Sequence, residues 1–444
     1  MSSSEPTPAT LRPAPGTAGA FADDQLIPAG PKGFLAPKRA RWTSGYLAVL
    51  FLAQFAMGLA QLAPSVYSLA VRVQDLAPAN KDSVLAVVLT IPAIAIIIVN
   101  PIVGILSDRT RSRLGRRRPW MIAGLTGGLL GLILIGTAPG IPMVVVGWTI
   151  GYLGLTVASS LVITHLGDAL PAAQRGRVSG INGAIAQIGP IVGVMLSGAL
   201  VHFSFLLFFV PGLIAVAGSI AFLIRMKDPS TRGAQFGRVS VLGVFAQVVF
   251  NPKKHKDFAW VWISKAAFFV GLYMSTVYGV YFLGQRLHLN ASAIAGLIAL
   301  SSMLGIAMAM LGALGSGYLT DRIRRRRVLI LIAGVVMAGA MIMTMFSYSA
   351  PMYVAATAIS SLGVGVFGAV DQALALDVIP DQHSPGRFLA INGLANEIPK
   401  AIAPGAAALI ASIGGAGHYE FIYLATAVLF IVGGLLVLPV RGVR

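Results

Sequence analysis

A few ionisable side chains lie inside long apolar stretches of this chain, among them Lys265, Asp371 and Glu397. A charge at bilayer depth costs at least about 2.5–3.5 kcal/mol on insertion scales, so a charged residue there is a functional candidate. A carboxylate at that depth can bind and release a proton, and a nearby lysine can pair with it. We therefore expect Asp371 either to carry a coupling proton or to form a static ion pair with Lys265.

Glu397 offers a similar choice. It precedes Lys400 by three positions (400 − 397), so the two side chains can pair on one helix face. Glu397 is thus a second proton-coupling candidate, with a local structural pair as the alternative. Asp371 lies six residues before Asp377 (377 − 371), or about 9 Å along a helix, a depth that suits a protonatable site.

The composition indicates that these stretches cross a membrane. The 444 residues are 56% hydrophobic and only 11% charged, with a mean hydropathy of +0.82, whereas a soluble chain carries about 25% charged residues. The sequence has no cysteine, no phosphate-binding loop and no clustered histidine motif. We expect an all-α, polytopic membrane protein without a cofactor, a metal site or enzymatic activity.

Apolar runs separated by Gly, Pro and charged residues predict twelve spans. Residues 1–41 are rich in Pro, Ala and Ser, which predicts a disordered cytoplasmic tail. The polar segment 227–257 predicts a cytoplasmic linker between two six-helix bundles, 42–226 and 258–444. The spans lie near residues 43–71, 83–106, 119–138, 141–168, 178–201, 203–226, 258–285, 291–319, 328–348, 351–378, 388–412 and 418–440.

Basic residues concentrate in the loops that follow every second span, beginning with six arginines at 109–118. The positive-inside rule then places both termini in the cytoplasm and the protein in the cytoplasmic membrane. The net charge of +18 would suggest nucleic acid in a soluble chain. Here the basic residues lie between apolar spans, so we exclude nucleic acid and expect contact with the lipid bilayer.

The two halves repeat one another. The stretch GILSDR at residues 104–109 recurs as GYLTDR at residues 317–322, 213 positions later (317 − 104). The stretches DALPAAQRGRVSGING and DVIPDQHSPGRFLAING begin at Asp168 and Asp377, 209 positions apart (377 − 168). Many secondary transporters are built from such repeats, with a site near the membrane midplane between them.

These motifs carry a resemblance to a known family. Gly-x-x-x-Asp-Arg after the second and the eighth of twelve spans resembles the major facilitator superfamily. The fuller stretch NPIVGILSDRTRSRLGRRRPW, residues 100–120, is similar to the same loop of sucrose and related glycoside–proton symporters. The second repeat, TDRIRRRR, lacks its Gly and Pro. The resemblance implies two pseudo-symmetric six-helix bundles, alternating access, and proton-coupled uptake of a sugar or glycoside by a monomer.

In this superfamily, spans one, four, seven and ten line the cavity. Amides and carboxylates hydrogen-bond sugar hydroxyls, and aromatic rings stack on the apolar face of a sugar. Tyr67 and Tyr281, near the outer ends of spans one and seven, are equally typical of membrane-interface anchors. The substrate-binding candidates are Gln54, Gln61, Tyr152, Lys265, Tyr273 and Gln372.

The charged loops suit a cytoplasmic gate. A carboxylate at a helix end can accept hydrogen bonds from a neighbouring helix N-terminus and pair with arginines. Such pairs would hold the halves together until inward opening; the alternative is that the arginines set topology and contact anionic lipid. Asp168 also matches, by resemblance, a fourth-helix aspartate implicated in proton movement. The gate candidates are Asp108, Arg109, Asp168, Arg177, Asp321, Arg322, Asp377 and Arg387.

Two other functions fit the same fold. One is a carrier that exports a drug or metabolite, with a more apolar cavity. The other is a non-transporting membrane receptor or assembly factor. The sequence leaves the substrate, the direction of transport and the choice between protons and sodium open.

Overall fold

The fold is described from a computed structural model. It covers residues 42–170, 172–226, 228, 231, 250–323, 325–380, 385–413 and 417–440. The predicted tail, 1–41, and most of the predicted linker lie outside these residues. The boundaries of the two bundles and of the linker therefore stay predictions.

The described residues form long α-helices joined by short connections. Their bounds are α1 (Ser44–Ala63, continued by a π-helical turn at Pro64–Ser68 and by Leu69–Leu76), α2 (Lys81–Arg109), α3 (Arg118–Gly136), α4 (Ile141–Ala169), α5 (Ala172–Ala199), α6 (Ser204–Arg225), α7 (Lys256–Val277, continued after Tyr278 by Gly279–Leu287), α8 (Ala291–Ile323), α9 (Arg326–Met345), α10 (Ala350–Asp377), α11 (Pro385–Ala411) and α12 (Glu420–Leu436).

Ten of these helices, α1 to α10, are long and apolar enough to cross a membrane, counted over the described residues only. Helix α12 is apolar but has only 17 residues, and α11 carries Arg387, Glu397 and Lys400. The prediction of an all-helical membrane protein is confirmed, and the crossing of the membrane by α11 and α12 stays a prediction. The largest discrepancy among the predicted helix ends is at α5, which begins at Ala172 and not near residue 178.

The packing repeats between the halves. In the first half, α1 contacts α5 and α6, and α3 contacts α4 and α6. In the second half, α7 contacts α11 and α12 in the same way, and α9 contacts α10 and α12. The halves meet where α2 packs on α11 and where α5 packs on α8, which are again equivalent pairs. The sequence repeat is thus a structural repeat.

Small residues allow α3 and α4 to pack backbone against backbone. A Cβ at Gly124 would lie 2.7 Å from the carbonyl oxygen of Gly154, so a larger residue there would push the helices apart. Close approach through glycine is typical of membrane helices, where apolar burial alone drives little association.

We expect Gly124→Ala to destabilise the protein and Gly127→Ala to leave it as stable as the wild type or slightly more stable. A Cβ at Gly127 would meet its nearest neighbour, Ile150, at 3.9 Å. Overpacking of a tight site costs typically 1–3 kcal/mol, and alanine is otherwise the better helix former by about 1 kcal/mol. Thermal unfolding of the detergent-purified protein, followed by tryptophan fluorescence, measures both. Equal midpoints for the two variants would contradict the packing argument.

Candidate functional site

Polar side chains of α1 and α4 form a hydrogen-bonded group inside the first half. Gln61 Nε2 donates to Thr156 Oγ1 at 2.5 Å, and Ser159 Oγ donates to Gln54 Oε1 at 3.0 Å. Gln54 is only 6% exposed. Both predicted glutamines therefore point into the protein, where their amides are held by hydroxyls of α4.

A matching group lies in the second half, on α7 and α11. Tyr273 Oη donates to Asn396 Oδ1 at 2.5 Å, and Lys400 Nζ pairs with Glu397 Oε1 at 2.7 Å. Lys400 also lies 5.9 Å from the centre of the Tyr273 ring. The Glu397 side chain is 38% exposed, so its carboxylate keeps accessible surface despite the pair.

The two groups interact electrostatically across the interface between the halves. The charge of Glu397 acts electrostatically on the phenols of both Tyr152, in α4, and Tyr273, in α7. Tyr152 lies eleven residues after Ile141, about 16 Å along α4 from its N-terminal end, which is about half of a hydrocarbon core roughly 30 Å thick. We call Gln54, Gln61, Tyr152, Thr156, Tyr273, Asn396 and Glu397 the central polar site.

A buried charge pair joins α7 and α10, nearer the arginine-rich face than Tyr273. Lys265 Nζ, on α7, lies 2.7 Å from Asp371 Oδ2, on α10, and the two side chains are 9% and 6% exposed. A buried pair is stabilising only while both charges are present, since removing one leaves the other uncompensated. Gln372, the neighbour of Asp371, is exposed, so the two adjacent side chains face different surroundings.

On the arginine-rich face, the ion pairs of Asp108 and Asp377 each lie within one half. Asp108 Oδ1 lies 3.4 Å from Arg116 Nη1 and 3.6 Å from Arg117 Nη2. Asp377 pairs with Arg326, which also donates to the carbonyl oxygen of Ala373 at 3.1 Å.

The other gate candidates are less informative. Arg109 is half-buried, and Arg177, Arg322 and Arg387 are exposed, with Arg387 over the ring of Phe388. The side chains of Asp168 and Asp321 lie outside the described residues. A gate that joins the halves on this face stays a prediction.

One carboxylate on this face was missed by the sequence analysis. Asp228, just after α6, accepts hydrogen bonds from the backbone N–H groups of Arg117 and Arg118 at 2.7 and 3.1 Å. It caps the N-terminus of α3, where negative charge is favourable. Sequence reasoning gave Asp108 a role of this kind. Asp228 lies more than a hundred residues away in the predicted linker, and no local spacing signals the contact.

Two further residues of the central polar site were also missed, although weak signals existed. Thr156 lies one helical turn after Tyr152, and Asn396 is the direct neighbour of Glu397. Their partners are on other helices, at Gln61 and Tyr273, so only the packing of α1 on α4 and of α7 on α11 joins them.

Comparison with known proteins supplies the family. The sequence profile described as the Major Facilitator Superfamily matches residues 50–316 and 306–444. The chain belongs to the Major Facilitator Superfamily. The resemblance in the arginine-rich loops is thereby confirmed, and this superfamily member is a membrane transporter for which nothing points to catalytic activity.

Solved structures support the same fold for this superfamily member. A nucleoside transporter, NupG, matches with a TM-score of 0.67 at 13% identity, covering 89% of this chain and 98% of that chain. A POT family transporter in complex with 5-aminolevulinic acid matches with a TM-score of 0.70 at 13% identity, covering 91% and 97%. At such identities the likeness concerns the fold alone.

One curated relative is closer in sequence over a shorter region. The general alpha-glucoside permease of Schizosaccharomyces pombe is 31% identical over 148 residues, which cover 29% of this chain and 27% of the permease. The match therefore spans only about a quarter of that protein's length.

Proposed function

We propose that this transporter carries a sugar or glycoside, together with protons, through the central polar site by alternating access. The observation that carries the proposal is the electrostatic interaction of Tyr152, from the first half, with Glu397 and Tyr273, from the second. A ligand between these residues would contact both halves at once, as alternating access requires.

The chemistry of the site suits a neutral, polyhydroxylated ligand. Amide groups of Gln54, Gln61 and Asn396 can both donate to and accept from hydroxyls, and a carboxylate accepts two hydrogen bonds from vicinal hydroxyls. The rings of Tyr152 and Tyr273 offer apolar faces beside these polar groups, and few charges would remain unpaired around a neutral sugar. The partial match to an alpha-glucoside permease supports the same substrate class.

The buried pair of Lys265 and Asp371 is the candidate for proton coupling. On a lone buried acid, a proton would remove an uncompensated charge. Lys265 already compensates the charge of Asp371, so a proton here breaks an ion pair instead. Protonation of Asp371 removes its attraction for Lys265 and so weakens the 2.7 Å contact between α7 and α10. A proton taken up on one side and lost on the other would then change how these two helices pack.

Uptake into proteoliposomes tests the proposal. The purified protein is reconstituted and offered labelled maltose, sucrose, glucose, uridine and a dipeptide, each with an inside-alkaline pH gradient, with an inside-acidic pH gradient, with a sodium gradient and with no gradient. We expect one of the sugars to accumulate only with the pH gradient, and a protonophore to abolish the accumulation.

Each other outcome rejects a stated part of the proposal. Sugar flux that ignores the pH gradient would reject proton symport, and accumulation with sodium would replace the coupling ion. Transport of uridine or the dipeptide without any sugar would reject the substrate class. Accumulation only when the interior is acidic would indicate an export carrier.

A further inference from the structure

The face opposite the arginine-rich loops, here the outer face, is closed by hydrogen bonds that join the two halves. Tyr67 Oη, in the first half, donates to the carbonyl oxygen of Ala291 at 2.6 Å. In the opposite direction, Tyr281 Oη donates to the carbonyl oxygen of Ala70 at 2.9 Å. Each half thus contributes a tyrosine that binds the backbone of the other.

Asp82, at the start of α2, is a second meeting point. Its carboxylate Oδ1 accepts a hydrogen bond from Tyr419 Oη at 2.8 Å, and its carbonyl oxygen accepts one from Tyr278 Oη at 2.8 Å. The neighbouring Lys81 ammonium lies 4.6 Å from the centre of the Tyr281 ring. One short stretch of the first half therefore contacts three tyrosines of the second half.

Tyr67 and Tyr281 are not the membrane-interface anchors that their positions in the sequence also suggested, because all four tyrosines are buried within the protein. Tyr67 is fully buried, and Tyr278, Tyr281 and Tyr419 are each 2% exposed. The rings of Tyr278 and Tyr419 stack with their centres 6.0 Å apart. A buried hydroxyl that loses its acceptor pays a desolvation cost of about 1–3 kcal/mol, so separating the halves here is unfavourable unless water replaces the contacts.

The backbone is irregular at the same place in both halves. Helix α1 changes to a π-helical turn at Pro64–Ser68, which contains Tyr67. Helix α7 breaks at Tyr278, 214 positions after Pro64 (278 − 64). Such irregular turns in membrane helices often lie at functional sites and let the segments beyond them reorient.

At the outer rim of each half, an arginine donates a hydrogen bond to the backbone of the same half. Arg72 Nη2, at the outer end of α1, donates to the carbonyl oxygen of Ala138 at 2.7 Å. Its counterpart Arg286, 214 positions later (286 − 72), donates to the carbonyl oxygen of Met345 at 2.7 Å. Each rim is therefore braced within its own half, and the tyrosine contacts join one rim to the other.

We propose that Tyr67, Tyr278, Tyr281 and Tyr419, with Asp82 as the shared acceptor, form an outer clasp that must open before the site can face the outside. A cavity of about 550 Å³ on the outer side of the clasp is lined by Asp82, Tyr281 and Tyr419, so these groups border open space on that side. The role of the clasp in transport rests on the proposed function, but its closure of the outer face does not.

The clasp can be tested by spin-label distances, because the chain has no cysteine of its own. Thr137→Cys and Ser349→Cys place one label on the exposed outer rim of each half. In lipid nanodiscs, we expect one main distance for the otherwise unchanged protein, that of the closed outer rim. Tyr419→Phe keeps the ring but removes the hydroxyl, and should raise the ratio of open to closed outer rims about fivefold. Phe at positions 278, 281 and 419 together should raise it about a hundredfold.

Matched controls separate the clasp from general loosening. Tyr423→Phe changes a buried tyrosine that packs on Phe282 within the second half and should leave the distances unchanged. Asp82→Asn keeps an acceptor oxygen for Tyr419 and should change the ratio little, whereas Asp82→Ala should match Tyr419→Phe.

The clasp is rejected if the triple Phe variant keeps the closed distance, or if Asp82→Asn opens the rim as far as Asp82→Ala. Neither result depends on finding a substrate. If the triple Phe variant keeps the closed distance while the protein transports sugar, the clasp is overturned and the proposed function stands. If the triple Phe variant opens the rim but the protein transports none of the offered substrates, the proposed function is overturned and the clasp stands.

Discussion

Replacing both members of the buried pair, with Lys265→Met and Asp371→Leu, is expected to leave a folded protein that no longer accumulates substrate against its gradient. The pair joins α7 to α10 with both side chains less than a tenth exposed. Apolar residues of similar volume in place of a buried ion pair are often neutral or stabilising by about 1–4 kcal/mol. Stability and coupling should therefore separate in this variant.

The single variant Asp371→Asn is the informative comparison. It leaves Lys265 buried without its counter-charge, which costs about 3–5 kcal/mol, so we expect a lower unfolding temperature than for the double variant. Thermal unfolding and proteoliposome uptake are measured on both. If the double variant still accumulates substrate with the pH gradient, the pair is static and the coupling proton binds elsewhere. Its exchange of labelled for unlabelled substrate should persist in either case.

Glu397→Gln is expected to raise the substrate concentration for half-maximal uptake about tenfold to a hundredfold. A hydrogen bond to a charged group contributes about 1.5–3 kcal/mol, and glutamine keeps the shape while removing the charge. The carboxylate is the one charged acceptor that acts on both Tyr152 and Tyr273 among the described residues of the central polar site. Concentration-dependent uptake in proteoliposomes gives the value.

Lys400→Gln is the control for this variant. Both changes remove the ion pair between Glu397 and Lys400, whose side chains are 38% and 29% exposed. A partly exposed pair at this spacing contributes only a few tenths of a kcal/mol to stability. If Lys400→Gln weakens uptake as much as Glu397→Gln, the pair matters and not contact with the substrate. If Glu397→Gln abolishes accumulation but leaves exchange intact, Glu397 is instead a coupling residue, the role that its position in the sequence suggested.

The helices were the most predictable part of this protein. A helix in lipid must satisfy its own backbone hydrogen bonds, so apolar length alone indicates where one runs. The runs at 141–168 and 351–378 became Ile141–Ala169 and Ala350–Asp377. The criterion is weakest for Pro385–Ala411, where Arg387, Glu397 and Lys400 lower the hydropathy. Two of those charges, Glu397 and Lys400, place polar chemistry at the interface between the halves.

Partners across helices were the least predictable part. The sequence offered Lys265 as one option for Asp371, and only the packing of α7 on α10 brings them to 2.7 Å. Gln372 is adjacent in sequence to Asp371 yet faces a different surrounding, because consecutive residues on a helix point about 100° apart. Spacing along a helix restricts the choice of face, but it does not indicate what the face contacts.

The sequence by itself determined that the chain is a helical membrane protein with two repeated halves, and its loop motifs were enough to indicate the family. These properties depend on the length of apolar runs and on local charge, and both follow directly from the order of residues in the sequence. Only the tertiary structure decided that Asp228 caps α3, that Glu397 acts electrostatically on Tyr152, and that Tyr67, Tyr278, Tyr281 and Tyr419 close the outer face. Each of these contacts joins residues more than a hundred positions apart, so its existence depends on how whole helices pack and not on any pattern within one of them.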